Sequence, residues 1–72
     1  MVNDARVVDV FARNEGSVVL IQPLTQAAKD WLQDNVESEP WQWLGSNLVV
    51  DHRFADGLLR GMTGDGLDVE ER

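Results

Sequence analysis

The chain has 72 residues, no cysteine and a formal net charge of −7, which bounds it to one small acidic domain, residues 1–72, burying only about 60% of the surface its unfolded chain exposes. Without Cys and with one His, neither a disulfide nor a zinc site can staple it, so a hydrophobic core or a partner subunit must hold it together. The acidic surplus repels nucleic-acid backbones and anionic lipids, and the longest apolar run, four residues at 18–21, is too short to span a bilayer or form a signal-peptide core.

Residues 6–13 and 17–22 are rich in β-branched side chains and flank Asn14, Glu15 and Gly16. This predicts a β-hairpin in which Gly16 takes the left-handed position. Alternation puts Val8, Val10 and Ala12 on one face of the first strand, the better core candidate, and Val7, Asp9, Phe11 and Arg13 on the other. Pro23 should stop the second strand, and Thr25 stands where a hydroxyl can cap a helix over 26–36. Ala28, Trp31, Leu32 and Val36 recur at helical spacing and make that helix amphipathic.

Residues 37–40 read as a loop, because a residue before proline avoids the α region. Trp41, Gln42, Trp43 and Leu44 lead through a Gly45, Ser46, Asn47 interruption into a strand over 48–52. A second helix is expected over 54–62, from the spacing of Phe54, Leu58 and Met62 with Ala55 and Leu59 beside them. Gly57 and Gly61 lie on one stripe of it, each costing about 1 kcal/mol relative to Ala, and would admit a close backbone approach. Gly64, Asp65 and Gly66 mark a stop before a short strand over 67–70 whose acidic side faces water. The expected fold is α+β, in the order ββαβαβ, with a hairpin and two further strands covered on one face by two helices.

Few residues suit catalysis. His52 has Asp51 and Arg53 beside it but no adjacent nucleophile, and only the distant Ser17, Ser38 and Ser46 could complete a triad. It is expected to be a strand-end residue in solvent or in a local hydrogen bond. Asp65, Asp68, Glu70 and Glu71 do not match a calcium loop, and the glycines match neither a phosphate loop nor a dinucleotide fingerprint. No catalytic residue, cofactor or metal is expected.

Binding is a different matter. Asp30, Asp34 and Glu37 follow i, i+4, i+7, which would line three carboxylates along the first helix, with Glu39 extending the ridge. Trp41 and Trp43 would project to one side of an extended segment as apolar anchors. An ordinary solvated helix face and ordinary core packing are the competing readings of these two features.

The residues Asn14, Glu15, Gly16, Pro23, Leu24, Thr25, Ala27, Ala28 and Trp31, followed by Trp43, Gly45, Leu48, Val49, Val50, Gly66 and Leu67, carry a pattern that covers most of the chain. It resembles short acidic proteins encoded by bacteriophages, prophages and mobile elements, which bring no catalytic residues to carry over. The resemblance implies a setting in the bacterial cytoplasm where tiny acidic proteins act as stoichiometric inhibitors of host defence, anti-CRISPR proteins being the best-known type. The resulting expectation is an inhibitor or adaptor that docks Asp30, Asp34, Glu37 and Glu39 on a basic groove of a host protein or nucleoprotein, such as a CRISPR effector, mimicking nucleic-acid charge. Trp41 and Trp43 would serve as anchors. The alternative is a small structural domain that dimerises through a strand edge or the Gly57/Gly61 helix face.

Overall fold

The computed structural model describes residues 7–72. Its fold is α+β. In chain order the elements are β1 (Val10–Asn14), β2 (Val18–Pro23), α1 (Gln26–Asn35), a 3-10 turn (Pro40–Gln42), β3 (Trp43–Leu44), β4 (Asn47–Asp51), α2 (His52–Gly64) and β5 (Val69–Glu71). Five strands form one mixed sheet in the order β3-β4-β2-β1-β5, with β1 and β5 parallel and the other neighbours antiparallel. The unit β4-α2-β5 is thus a split β-α-β arrangement, with β2 and β1 lying between its two parallel strands.

β1 and β2 form the expected hairpin, in a register that places Asn14 opposite Val19. Gly16 takes φ +100° and donates its amide to the Asn14 side chain at 2.8 Å, the positive φ that a side chain resists. The strand begins at Val10, later than expected. Val8 is only half-buried, and Arg6 lies outside the described residues. Pro23 does not stop β2 short but is its buried last residue, opposite Val10, a strand end where a missing N–H is tolerated.

The ββαβαβ order requires one correction. Trp43 and Leu44 pair with Leu48 and Asn47 as an additional strand, β3. Gly45 has φ +63° and, among the described residues, no non-glycine residue has positive φ, so the Gly45, Ser46 connection has positive φ only at its first position. That is the mark of a type II′ hairpin turn.

Thr25 caps α1, accepting the Ala28 amide at 3.2 Å while donating its hydroxyl to Asp9 at 2.6 Å. Asp9 also accepts the Asp68 amide at 2.8 Å, so one carboxylate ties the entry of β1, the start of α1 and the approach to β5. These two hydrogen bonds, from Thr25 first and Asp68 second, hold its pKa below the ordinary carboxylate value.

Asp51 caps α2 by accepting the Arg53 amide at 2.8 Å. The helix therefore starts at His52, two residues earlier than expected, and its inward stripe is Ala55, Leu59 and Met62, not one led by Phe54. At its far end Leu67 N–H bonds to the Met62 carbonyl and Gly66 N–H to the Thr63 carbonyl, with Gly66 at φ +93°. This pair of bonds is a Schellman motif, and it carries α2 through Gly64. β5 accordingly forms at Val69–Glu71 rather than over 67–70.

Both helices cover the same sheet face. Val10, Ala12, Val19, Ile21, Leu48 and Val50 point into one buried cluster with the inward residues of α1 and α2. Phe11, Val18, Leu20 and Val49 alternate onto the opposite face, where no second layer of the described residues covers them, and remain half-buried. There the Arg72 guanidinium sits 3.8 Å from the centre of the Phe11 ring, a cation-π contact that shields one end of the open face.

Candidate functional site

The chain of α1 breaks the expected acidic stripe. Asp30 and Asp34 are exposed on the helix, but the helix ends at Asn35, and Val36 is its extended C-cap at φ −131°. Glu37 therefore leaves the helical i, i+7 position and stands in the following loop. The physical reason is local: Val36 is β-branched and the acids after it add no helix-stabilising charge at a helix C-terminus. Glu39 follows and caps the 3-10 turn, its backbone amide donating to the Gln42 side-chain oxygen at 2.8 Å and its carbonyl accepting the Gln42 amide at 2.9 Å.

That turn also separates the two tryptophans. In an extended segment Trp41 and Trp43 would share a side, but 40–42 winds as a 3-10 turn with Pro40 at its start, so they diverge. Trp43 turns inward against the core and donates its indole N–H to Ser38 Oγ at 3.1 Å. Trp41 is 80% exposed.

Trp31 is half-buried, donating its indole N–H to Asp65 at 2.6 Å. Its ring fills the place where a side chain at Gly61 would be: a Cβ there would lie 3.2 Å from the ring, whereas one at Gly57 meets nothing within 4 Å. The two glycines are not one docking stripe; Gly61 serves the contact between α1 and α2. Gly61→Val should lower stability by roughly 1–3 kcal/mol through overpacking, whereas Gly57→Ala should raise it by about 0.4–1 kcal/mol. Urea denaturation of both variants checks the contrast.

Charge pairing concentrates the negative potential. Among the described residues, Arg13 pairs with Glu15, Arg53 with Asp51, Arg60 with Asp56 and Arg72 with Glu70, at 2.9–3.1 Å. None of these arginines pairs with an acid of α1 or of the loop after it. Asp30, Asp34, Glu37 and Glu39 have only Lys29 near them in sequence, and the Trp31 indole draws Asp65 towards the same helix.

Beside this surface lies a groove of about 460 Å³. Lys29, Leu32 and Gln33 of α1 with its C-cap Val36 form one wall, and Trp43, Ser46 and Leu48 of the β3–β4 hairpin form the other. A shallower hollow of about 360 Å³ lies past the end of α1, between Val36 and Glu37 on one side and Phe54 and Leu58 on the other. No family model, curated protein or solved structure matches this chain. The geometry alone must therefore identify the surface.

Of the expected partner-binding residues, Asp30, Asp34, Glu37, Glu39 and Trp41 are exposed, whereas Trp43 is a groove wall. Sequence reasoning missed Phe54, which is 69% exposed, and the groove-lining Leu32, Val36 and Leu48. The signal for Phe54 was available: Asp51 as an N-cap shifts the buried stripe to Ala55 and turns Phe54 outward.

His52 is the first residue of α2, not the end of a strand, and its backbone amide donates to the Ser17 carbonyl at 3.0 Å. Its neighbour Asp51 is engaged by the Arg53 guanidinium at 3.1 Å through both carboxylate oxygens. Among the described residues no group of three or more His, Cys, Asp or Glu could hold a metal ion, and no helix is long and apolar enough to cross a membrane.

The hydrogen bonds from Arg53, followed by its charge, lower the Asp51 pKa from 3.8 to about 2. A depressed folded pKa means that the folded state binds fewer protons than the unfolded chain between those values. Its contribution to stability is then fully present above about pH 4 and is lost as pH falls through about 2. Thermal melts of the protein and of Asp51→Asn should thus differ by a constant amount above pH 4 and converge towards pH 2. A gap that persists at pH 2 would contradict this account of the pair.

Proposed function

We propose that this protein acts by stoichiometric binding, docking the acidic surface of α1 and the loop after it on a basic, nucleic-acid-binding groove of a host protein or nucleoprotein in the bacterial cytoplasm. The observation that carries the reading is the distribution of compensation: the described arginines pair with acids elsewhere, while Asp30, Asp34, Glu37 and Glu39 stay exposed and, among the described residues, have no ion-pair partner. Like charges at helical spacing cost a few tenths of a kcal/mol, which a basic partner would recover. An inhibitor of host defence carried by a phage or mobile element, of the anti-CRISPR type, fits this chemistry, because a CRISPR effector presents a positively charged channel for its nucleic acids. In this reading the protein is a nucleic-acid mimic that neither catalyses nor binds nucleic acid itself.

The test is an affinity pull-down from lysate of an infected or lysogenic host at low and high salt. A nucleoprotein recovered at low salt and lost at high salt supports the reading; a partner held equally at both contradicts it.

A second reading, a small oligomerising structural domain, is favoured by the uncovered sheet face carrying Phe11, Val18, Leu20 and Val49. The strand edges favour it less, since β3 has two residues and β5 three, and short edges offer little ladder to pair with. Light scattering separates the two: a stable homodimer that captures no host protein would select the second.

A further inference from the structure

A sheet face left in water normally alternates to polar residues, yet the face away from the helices carries Val18, Leu20 and Val49 half-buried and Leu44 65% exposed. Strand register arranges it in rows. Leu20 is opposite Val49, with Val18 next along β2. In the adjoining row Phe11 is opposite Gln22 and Asn47 opposite Leu44, and the Ile21 to Leu48 pairing brings Gln22 beside Asn47. The Arg72 guanidinium rests on the Phe11 ring and raises that end of the row, whereas the β3 end holds Leu44 alone.

The charges of this face cancel. Arg13, Arg53 and Arg72 pair with Glu15, Asp51 and Glu70 at its margins, three bases against three acids. The net −7 therefore lies on the rest of the chain, including Asp30 and Asp34 on α1, which packs on the other side of the sheet.

We infer that this face is a self-association surface, on which two copies pack sheet to sheet about a two-fold axis running along the strands between β2 and β4. That axis sets Leu20 against Val49 of the other copy, Gln22 against Asn47, and the raised Phe11 and Arg72 end against the bare Leu44 end. Aliphatic meets aliphatic and amide meets amide. A two-fold across the strands would press Leu20 on Gln22 and Val49 on Asn47, burying amides without hydrogen-bond partners. A second acidic copy is a fitting occupant because the surface it presents is the neutral one, and its surplus charge faces away.

Four overlapping strands about 4.8 Å apart and five residues of about 3.4 Å give roughly 300 Å² of flat contact per copy. A standard interface has roughly 800 Å² per partner, so the dimer is transient and the face is open in dilute solution. The inference rests on the same uncovered face as the oligomerising reading, but it leaves both α1 surfaces on the outside of the dimer, free to dock elsewhere.

Sedimentation velocity of the full chain at about 1 μM and about 1 mM brackets an interface of this size. A monomer is expected at the lower concentration and a dimer at the higher, with more dimer in high salt, where repulsion between the two copies is screened. Leu44→Lys, at an exposed position the fold does not need, should weaken the dimer by about tenfold or more, since two leucine contacts are lost per dimer. The chain has no cysteine, so single cysteines report the register. A short bismaleimide bridging the about 10 Å between stacked sheets should join Phe11→Cys to Leu44→Cys chains in a mixture and join neither to its own kind.

A monomer at the higher concentration, a dimer that Leu44→Lys leaves intact, or cross-links between like chains would overturn the inference. The response to salt is opposite for the two surfaces: ionic strength weakens docking of α1 on a basic partner and strengthens contact between two acidic copies, so either can fail alone.

Discussion

Ile21→Ala is expected to lower stability by about 2–5 kcal/mol, the cost of removing a buried aliphatic side chain and leaving its cavity. A chain of this length has on the order of 4–11 kcal/mol in total, at roughly 0.05–0.15 kcal/mol per residue, so the variant is half-unfolded or worse under mild denaturant. The site is exposed to no solvent at all and lies on the central strand, opposite Ala12 on β1 and Leu48 on β4. Its neighbours cannot fill the space. Ala12, Ala28 and Ala55 are the buried residues that let the helices approach the sheet, and the volume is carried by Ile21, Leu48, Met62 and Val10. Trp31 and Trp43 pack against the rim of this cluster and do not enter it.

Urea denaturation should show a lower midpoint with an unchanged slope, since the surface exposed on unfolding barely changes. Val49→Ala is the control, because Val49 is on the uncovered face of the same sheet; its loss should stay under about 1 kcal/mol. Equal losses at the two positions would mean that the sheet buries both faces, and that the open surface has a second layer in solution.

The features legible from sequence were those with a strong local cause. Gly16 between two β-branched runs announced the hairpin, Thr25 the start of α1, and the Gly64, Asp65, Gly66 run the end of α2. β3 escaped because two residues show no periodicity; its only sign was Gly45 followed by Ser46 between Leu44 and Asn47, the composition of a two-residue turn. The end of α1 was misplaced because Val36 continues the apolar spacing of Leu32 while lying outside the helix. Periodicity reports which side chains face the core, and Val36 faces it from extended backbone.

The site was harder to read for a related reason. Its acids are adjacent in sequence and were visible, but the groove needs α1 and the β3–β4 hairpin, which are joined only through the 3-10 turn. The divergence of Trp41 and Trp43 depended on a single backbone conformation that Glu39, Pro40 and Gln42 set together. β1 entering between β2 and β5 depends on pairing between residues 59 apart, Val10 with Val69, tied by the Asp9 carboxylate accepting the Asp68 amide. No local window contains both partners.

Reversing the acids of α1 is the second large effect. Asp30→Lys, Asp34→Lys and Glu37→Lys together change the charge by two units each, taking the net charge from −7 to −1. Partner association should slow by about ten- to a thousandfold at low salt, the range over which electrostatic steering accelerates encounter. It should also lose most of its dependence on ionic strength, because the long-range term being screened has been removed. The fold should survive, since all three side chains are exposed, and Lys is as good a helix former as any polar residue. Among the described residues, the side-chain hydrogen bond lost is from Gln26 to Asp30 at 2.9 Å, on the surface.

The triple variant separates two roles for the same charge. If the acids served only to keep the protein soluble, removing them would promote self-association near zero net charge and leave partner kinetics alone. If they guide docking, association rate and salt slope fall together while the dissociation rate, governed by contacts made after docking, changes less. A comparison reversal of Asp56, Glu70 and Glu71 alters net charge by the same amount away from α1. Equal effects from the two triplets would sink the ridge as a localised surface and leave only the overall charge as the attractive agent.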